Sequence, residues 1–193
     1  MRLYFAVVHS VNLMYYRIDI ECSKGNTIME LRKLELKDAP LMLEWMHDKS
    51  IVEDLRTNFL TKTMEDCENF IKSSWNDKNN WNVAIVDEED TYMGTVSLKN
   101  IKESSAEFGI TIRSCAMGKG YSIWAMKETL RSAFEERNLK MVYWCVSPDN
   151  KRAVRFYDKN GFERVNAKEL EMIEGYTQEQ IDAYVWYLAK NER

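Results

Sequence analysis

From position 29 onward the polar and apolar residues follow regular periods. The stretch MELRKLEL alternates them, as a half-buried strand does. KDAPLMLEWMHD then places Leu41, Trp45 and Met46 on one helical face, with Asp38 as the expected N-cap and Pro40 in the first turn. TKTMEDCENFIKSSW predicts a second helix, opened by a Thr63–Asp66 capping pair and burying Phe70 and Ile71. The period then changes. WNVAIVD and YMGTVSLKN read as two strands joined by the acidic turn EED, and SAEFGITIR as a third. Ile123, Met126, Leu130, Ala133 and Phe134 return to helical spacing. MVYWCV is a short buried strand, DNKRAVRFYDKN a helix closed by Gly161, and GFERV another strand. TQEQIDAYVWYLAK predicts a helix followed by a closing strand. The order is strand, two helices, three strands, helix, strand, helix, strands: a mixed α/β layer and not a regular doubly wound one.

At 193 residues, 45% of them hydrophobic and 30% charged, the chain has the length and composition of one globular domain with or without an added arm. A net charge of -4 supplies no basic field for nucleic acid. Cys22, Cys67, Cys115 and Cys145 are scattered without a CxxC pair, which suits neither zinc nor a disulfide framework and points to a reducing, cytoplasmic setting. With only His9 and His47 present, a histidine base or a multi-histidine metal site is hard to build. The apolar run Leu3–Val8 is too short to span a bilayer and makes a weak signal peptide, so residues 1–28 are expected to be an extension outside the core, with translation starting at Met29. The domain proper is expected over residues 29–193.

The chemistry-bearing feature is AMGKGYS, residues 116–122, set between a strand and a helix. Such a turn exposes unpaired backbone N–H groups at the positive end of a helix dipole, and Gly118 and Gly120 let a phosphate come close. A tight turn without ligand reads equally well from the glycines alone. Two familiar phosphate loops fail on spacing. Lys119 lies between the glycines and Tyr121 follows them, unlike GxxxxGK followed by Ser or Thr, and Ile123 stands where GxGxxG wants its third glycine.

Downstream, VYWCVSPDNKRAVRFYDKNGFERV carries Asn150, Ala153 and Phe156-Tyr157 ahead of Gly161-Phe162. With the loop, this resembles the GNAT N-acetyltransferase superfamily, in a branch with ribosomal-protein N-terminal, spermidine and nucleotide-amino-sugar acetyltransferases. The resemblance covers roughly residues 29–165. It implies an α/β fold with a mixed, mostly antiparallel sheet, splayed at the acetyl-CoA site and flanked by helices. It also implies acetyl-CoA as co-substrate, no metal, a small-molecule amine partner, neither nucleic acid nor membrane, and a possible homodimer. The pyrophosphate motif aligns from Met117 through Gly118, Lys119, Gly120 and Tyr121 to Ser122; Met117 departs from the family's Gln or Arg, and Ser122 from its Gly or Ala.

The implied reaction is attack of a neutral amine on the thioester, which needs a base, an oxyanion site and an acid for the leaving thiolate. By resemblance, Tyr157 is the general acid; it reads otherwise as an aromatic that only orients the thioester. Glu107 is the candidate base, with amine anchor and surface carboxylate as alternatives. Backbone around Thr111 and Ile112 is implied to hold the oxyanion. Asn150 is implied to bond the pantetheine arm, or else to cap its helix, and Ala153 and Phe156 line the same site. Lys119 contacts a phosphate or is solvated. On the acceptor side, Asp48, Glu53 and Asp54 are candidates for an amine and Arg56 for an anion, while Trp45 and Trp75 are stacking or core residues. The acceptor class expected is an amino sugar or a polyamine. A protein N-terminus, or a non-catalytic acetyl-CoA sensor, are the other readings.

Overall fold

The computed structural model describes residues 28–170 and 173–191. The expected N-terminal extension therefore lies outside the described residues except for Ile28. Among the described residues seven strands form one sheet: β1 (Glu30–Lys33), β2 (Trp81–Val86), β3 (Tyr92–Lys99), β4 (Ser105–Ile112), β5 (Met141–Val146), β6 (Glu163–Val165) and β7 (Val185–Lys190), in the order β1-β2-β3-β4-β5-β7-β6. Every neighbouring pair is antiparallel except β4 and β5. The helices are α1 (Ala39–Met46), α2 (Lys49–Val52), α3 (Met64–Ser74), α4 (Tyr121–Arg131), α5 (Lys151–Lys159) and α6 (Gln178–Ala183).

Strand alternation divides the core between the two faces of the sheet. Val83, Ile85, Val96, Leu98, Phe108, Val142 and Trp144 pack with Tyr121, Ala125 and Met126 of α4 and Tyr157 of α5. On the opposite face, Ala84, Val86 and Tyr92 pack with Met42, Trp45 and Met46 of α1 and Cys67 and Ile71 of α3. A smaller cluster, Tyr143, Leu170, Trp186 and Leu188, continues that second face under α6. Burying one large apolar side chain in either layer is worth about 1.5–3 kcal/mol.

Local signals mostly hold. Thr63 and Asp66 form the capping box that opens α3, Thr63 Oγ1 accepting from the Asp66 N–H at 3.2 Å and Asp66 Oδ2 accepting from the Thr63 N–H at 2.8 Å. Two expectations need correction. Asp38 stands before α1 but does not cap it. Its backbone is already helical, and its carboxylate accepts from Arg32 Nη1 and Nη2, both at 2.8 Å, and from the Glu35 N–H at 2.9 Å. An ionic partner on β1 outcompetes the helix end. Phe70 is not on the buried side of α3: it is 38% exposed, on the wall of an open groove with Trp45, Phe59 and Asn82.

The parallel pair creates the feature that matters. β4 and β5 pair only at Ser105–Met141, Ala106–Val142 and Glu107–Tyr143. Beyond that point Phe108–Ile112 stays with β3, while Trp144–Val146 stays with β7. The two strands splay apart and leave unpaired backbone edges facing a gap.

Candidate active site

The glycine loop lies on one side of this gap. A short helical turn over Ser114–Ala116 leads to Met117, and Gly118 and Gly120 both adopt left-handed backbone, with φ of 74° and 90°. Gly120 is the N-cap of α4 and supplies no side-chain cap, so the first-turn N–H groups lack an intrahelical acceptor. Nothing lies within 4 Å of where a Cβ on Gly118 would stand. The backbone there is open to a ligand.

A cavity of about 220 Å³ runs from this loop along β4 and α5. Eight of the expected cofactor residues line it: Thr111, Ile112, Met117, Gly118, Ser122, Asn150, Ala153 and Phe156. Lys119, Gly120 and Tyr121 do not. Lys119 and Gly120 are exposed off the wall, and the Tyr121 ring is buried in the core below α4, because the first helical turn needs an apolar anchor against the sheet. Asn150 does cap α5, its Oδ1 accepting from the Ala153 N–H at 3.0 Å, which leaves its amide NH2 as a donor in the cavity. Arg152 was missed from sequence. It lines the cavity, and its Nη1 lies 3.1 Å from the Met117 sulfur, so a cation stands beside the one position that lacks the family's polar residue. The features together fit a phosphate-bearing chain with an extended amide arm: open glycine backbone, helix N-terminus, arginine, and an unpaired strand edge.

A second cavity, of about 240 Å³, meets the first at Leu55, Ile110, Asn150, Ala153 and Tyr157. Tyr157 stands at the junction. Its ring packs on Trp144, Phe156, Phe162 and Tyr187, with centroids 5.1–6.0 Å apart. Its hydroxyl has no hydrogen bond to a described residue, and burial pushes the phenol well above its ordinary value, keeping the proton on. Trp144, on the wall of this cavity, has a buried indole N–H without a partner among the described residues.

Glu107 lines the second cavity from the other sheet face and is 4% exposed, so the surface-carboxylate alternative fails. Its Oε1 accepts from Lys99 Nζ at 3.0 Å and from the Tyr176 hydroxyl at 2.8 Å; Oε2 has only a long 3.5 Å contact from Asn100 Nδ2. Lys99 is brought opposite by the β3–β4 register. Tyr176, beyond β6, is held by the Arg56 guanidinium 4.1 Å over its ring and by edge contacts with Tyr184 and Trp186. Burial first, then the neighbouring Cys145 and Glu107, pushes the Tyr176 phenol upward, and burial pushes the Cys145 thiol up to about 11.

Of the four charged acceptor candidates, Asp54 and Arg56 line this cavity. Asp48 instead caps α2, accepting from the Ser50 N–H at 3.0 Å and the Ser50 hydroxyl at 2.7 Å, and Glu53 is exposed away from the cavity wall. Trp45 is core, its indole N–H donating to the Tyr92 hydroxyl at 3.0 Å; the Trp75 indole N–H donates to the Leu34 carbonyl, outside both cavities. Lys99, Cys145, Tyr176 and Tyr184 were missed because only the sheet register and the return of the chain after β6 bring them here. Among the described residues no three His, Cys, Asp or Glu side chains converge as metal ligands, and no helix is long and apolar enough to cross a membrane.

Comparison with known proteins agrees with this geometry. Residues 29–163 match the family described as an acetyltransferase (GNAT) domain. Acetyltransferase PseH of Campylobacter jejuni is 24% identical over 130 residues, covering 67% of this chain and 80% of that protein. The uncharacterized N-acetyltransferase p20 of Bacillus licheniformis is 25% identical over 170 residues, covering 85% and 94%. Among solved structures, spermidine N-acetyltransferase from Vibrio cholerae in complex with CoA and spermine aligns with a TM-score of 0.69 at 21% identity, covering 84% of this chain and 95% of that one. A GNAT-family acetyltransferase from Bacillus anthracis aligns with a TM-score of 0.67 at 23% identity, covering 86% and 96%. The chain belongs to the GNAT acetyltransferases and is an acyltransferase enzyme.

Proposed function

We propose that this enzyme moves the acetyl group of acetyl-CoA to the primary amine of a small molecule, an amino sugar or a polyamine, by direct attack on the thioester in the cytoplasm. The observation that carries the reading is the meeting of two cavities at Tyr157, with the glycine loop at the far end of one and Glu107 in the other. Bound acetyl-CoA supplies an acyl group activated as a thioester. The chain's own residues supply the rest. Gly118, Ser122 and Arg152 hold the phosphate end, and the Asn150 NH2 and the free edge of β4 bond the extended arm. Of the backbone N–H groups around Thr111 and Ile112, the ladder turns that of Thr111 toward β3, so the Ile112 N–H, on the free edge, is the oxyanion donor.

An alkyl amine, with a pKa of roughly 10, arrives protonated near neutral pH and must lose a proton before it attacks. Glu107 Oε2, the less engaged oxygen, accepts that proton directly or through a water. Tyr157, kept protonated by burial, donates to the departing sulfur. The second cavity, lined by Phe59, Tyr176 and Tyr184 and of about 240 Å³, suits a compact acceptor better than an extended polypeptide.

A thiol-release assay with acetyl-CoA and a panel of amino sugars, polyamines and peptide N-termini tests the proposal. Release dependent on a small amine supports it. Release only with peptides, or acetyl-CoA binding without turnover on any amine, overturns it in favour of a protein acetyltransferase or a sensor.

A further inference from the structure

We propose that the acceptor carries an anionic group, a phosphate or a carboxylate, in addition to its amine, and that Arg56 binds that group at the mouth of the acceptor cavity. This rests on the acetyl-transfer reading and chooses between its two acceptor classes. An amino sugar bearing such a group fits the cavity; a polyamine, cationic along its length, does not.

The charge pairing around the cavity leads to this assignment. Lys99 is paired with Glu107 at 3.0 Å, and Lys102 with Glu174. Arg56 also lines the cavity, yet among the described residues no carboxylate stands within ion-pair distance of it. Asp54, on the same wall, likewise makes no ion pair with a described residue. The two charges left over are of opposite sign, as a ligand bearing both an amine and an anion requires.

Arg56 is also held in place. Its guanidinium lies 4.1 Å over the Tyr176 ring, and its Nη1 donates to the Gly175 carbonyl. Tyr176 is in turn tied to Glu107 at 2.8 Å. A guanidinium has five N–H donors in a fixed fork, so one bond to a carbonyl leaves an edge free for a two-point contact with phosphate or carboxylate. Its charge reaches into the gap: with Lys99 it opposes the upward push that burial exerts on the Cys145 thiol. A polyamine would bring several positive charges against both cations, and of the two carboxylates facing it Glu107 is already paired with Lys99, which leaves Asp54 as the unpaired one.

The experiment compares glucosamine, glucosamine 1-phosphate, muramic acid and spermidine as acceptors at saturating acetyl-CoA, for the wild type, R56Q and R56K. A charge-assisted two-point contact predicts kcat/KM for the phosphate- or carboxylate-bearing sugar roughly 10- to 100-fold above glucosamine. The ratio should fall toward one in R56Q and lie between in R56K, which keeps the charge but loses the fork. The phosphate and carboxylate arms identify the anion. Equal use of glucosamine or spermidine, or a ratio unchanged in R56Q, overturns the inference and leaves acetyl transfer standing. Independently of turnover, the Arg56 Nε–Hε NMR resonance, assigned by its loss in R56Q, should move on addition of glucosamine 1-phosphate or muramic acid to the acetyl-CoA-loaded enzyme, and not with glucosamine. If no acceptor is acetylated but that resonance responds, the anion site stands and the transfer reading falls. If it responds to neither anion, the inference falls.

Discussion

Replacing Tyr157 with Phe separates chemistry from folding more cleanly than any other change in this site. The substitution removes one hydroxyl and keeps the ring that packs on Trp144, Phe156, Phe162 and Tyr187. The hydroxyl bonds no described residue, so no protein hydrogen bond is lost and stability should change by less than about 1 kcal/mol. A general acid contributes about 10²-fold or more, or about 2.7 kcal/mol of transition-state stabilisation at about 1.36 kcal/mol per decade. Turnover, measured as thiol release at saturating acetyl-CoA and amine, should therefore fall at least about 100-fold while the thermal melt stays in place. The pH dependence carries a sign. Burial raises the Tyr157 phenol, so its proton is present below the unperturbed value of about 10 and is lost only above the folded value; the donor should not titrate away between neutrality and pH of about 10. Unchanged turnover in Y157F would refute the acid role. So would an alkaline limb below that pH that disappears in the variant.

Glu107→Gln should lower kcat/KM for the amine by about 10²-fold with acetyl-CoA affinity within about twofold, by steady-state kinetics and calorimetry; full activity would remove Glu107 as base. Gly94→Ala places a Cβ 2.3 Å from the Thr111 carbonyl oxygen, a backbone atom that cannot swing away. It should force β3 off β4 and cost about 1–3 kcal/mol in urea unfolding, with weaker acetyl-CoA binding because Thr111 moves; an unchanged midpoint counts against the strand register. Burial raises the Tyr143 and Tyr187 phenols to about 12, so above pH of about 10 the unfolded chain has lost protons that the folded chain keeps. Stability should then fall between pH 10 and 12, seen as a dropping urea midpoint; a flat midpoint would sink the assignment.

Most of the residues expected to bind the cofactor fall on one cavity wall because their placement is written locally. Asn150, Ala153, Phe156 and Tyr157 sit on one short helix, and the glycine loop is contiguous with the start of another, so spacing along the chain maps directly onto one cavity wall. Where this failed, a short-range rule met a longer-range contact. Tyr121 aligns with the loop motif, but the first turn of α4 uses its ring as an anchor in the core. Asp38 had every local mark of a cap, and Arg32 from the neighbouring strand took its carboxylate. Phe70 had the right helical spacing for burial, yet α3 presents it to an open groove.

The acceptor side was illegible for a different reason. Its charges come from β3, β4 and the segment after α2, and two tyrosines from the chain beyond β6, none of them fixed relative to another by sequence spacing. Glu107 read from sequence as any of three things; the β3–β4 register sets Lys99 beside it, and Tyr176, 69 residues away, closes the contact. Tyr176 and Tyr184 also lie past residue 163, where the family match ends. The matched segment builds the gap between β4 and β5 together with Asp54, Arg56, Lys99 and Glu107 of the second cavity, and Tyr176 and Tyr184 complete that cavity from beyond it. Arg56 joins the two, since its backbone lies within the matched region and its guanidinium is held by Tyr176 and Gly175 outside it. Acceptor choice in this enzyme should therefore respond to changes at Arg56 and Tyr176 more than to any change in the glycine loop.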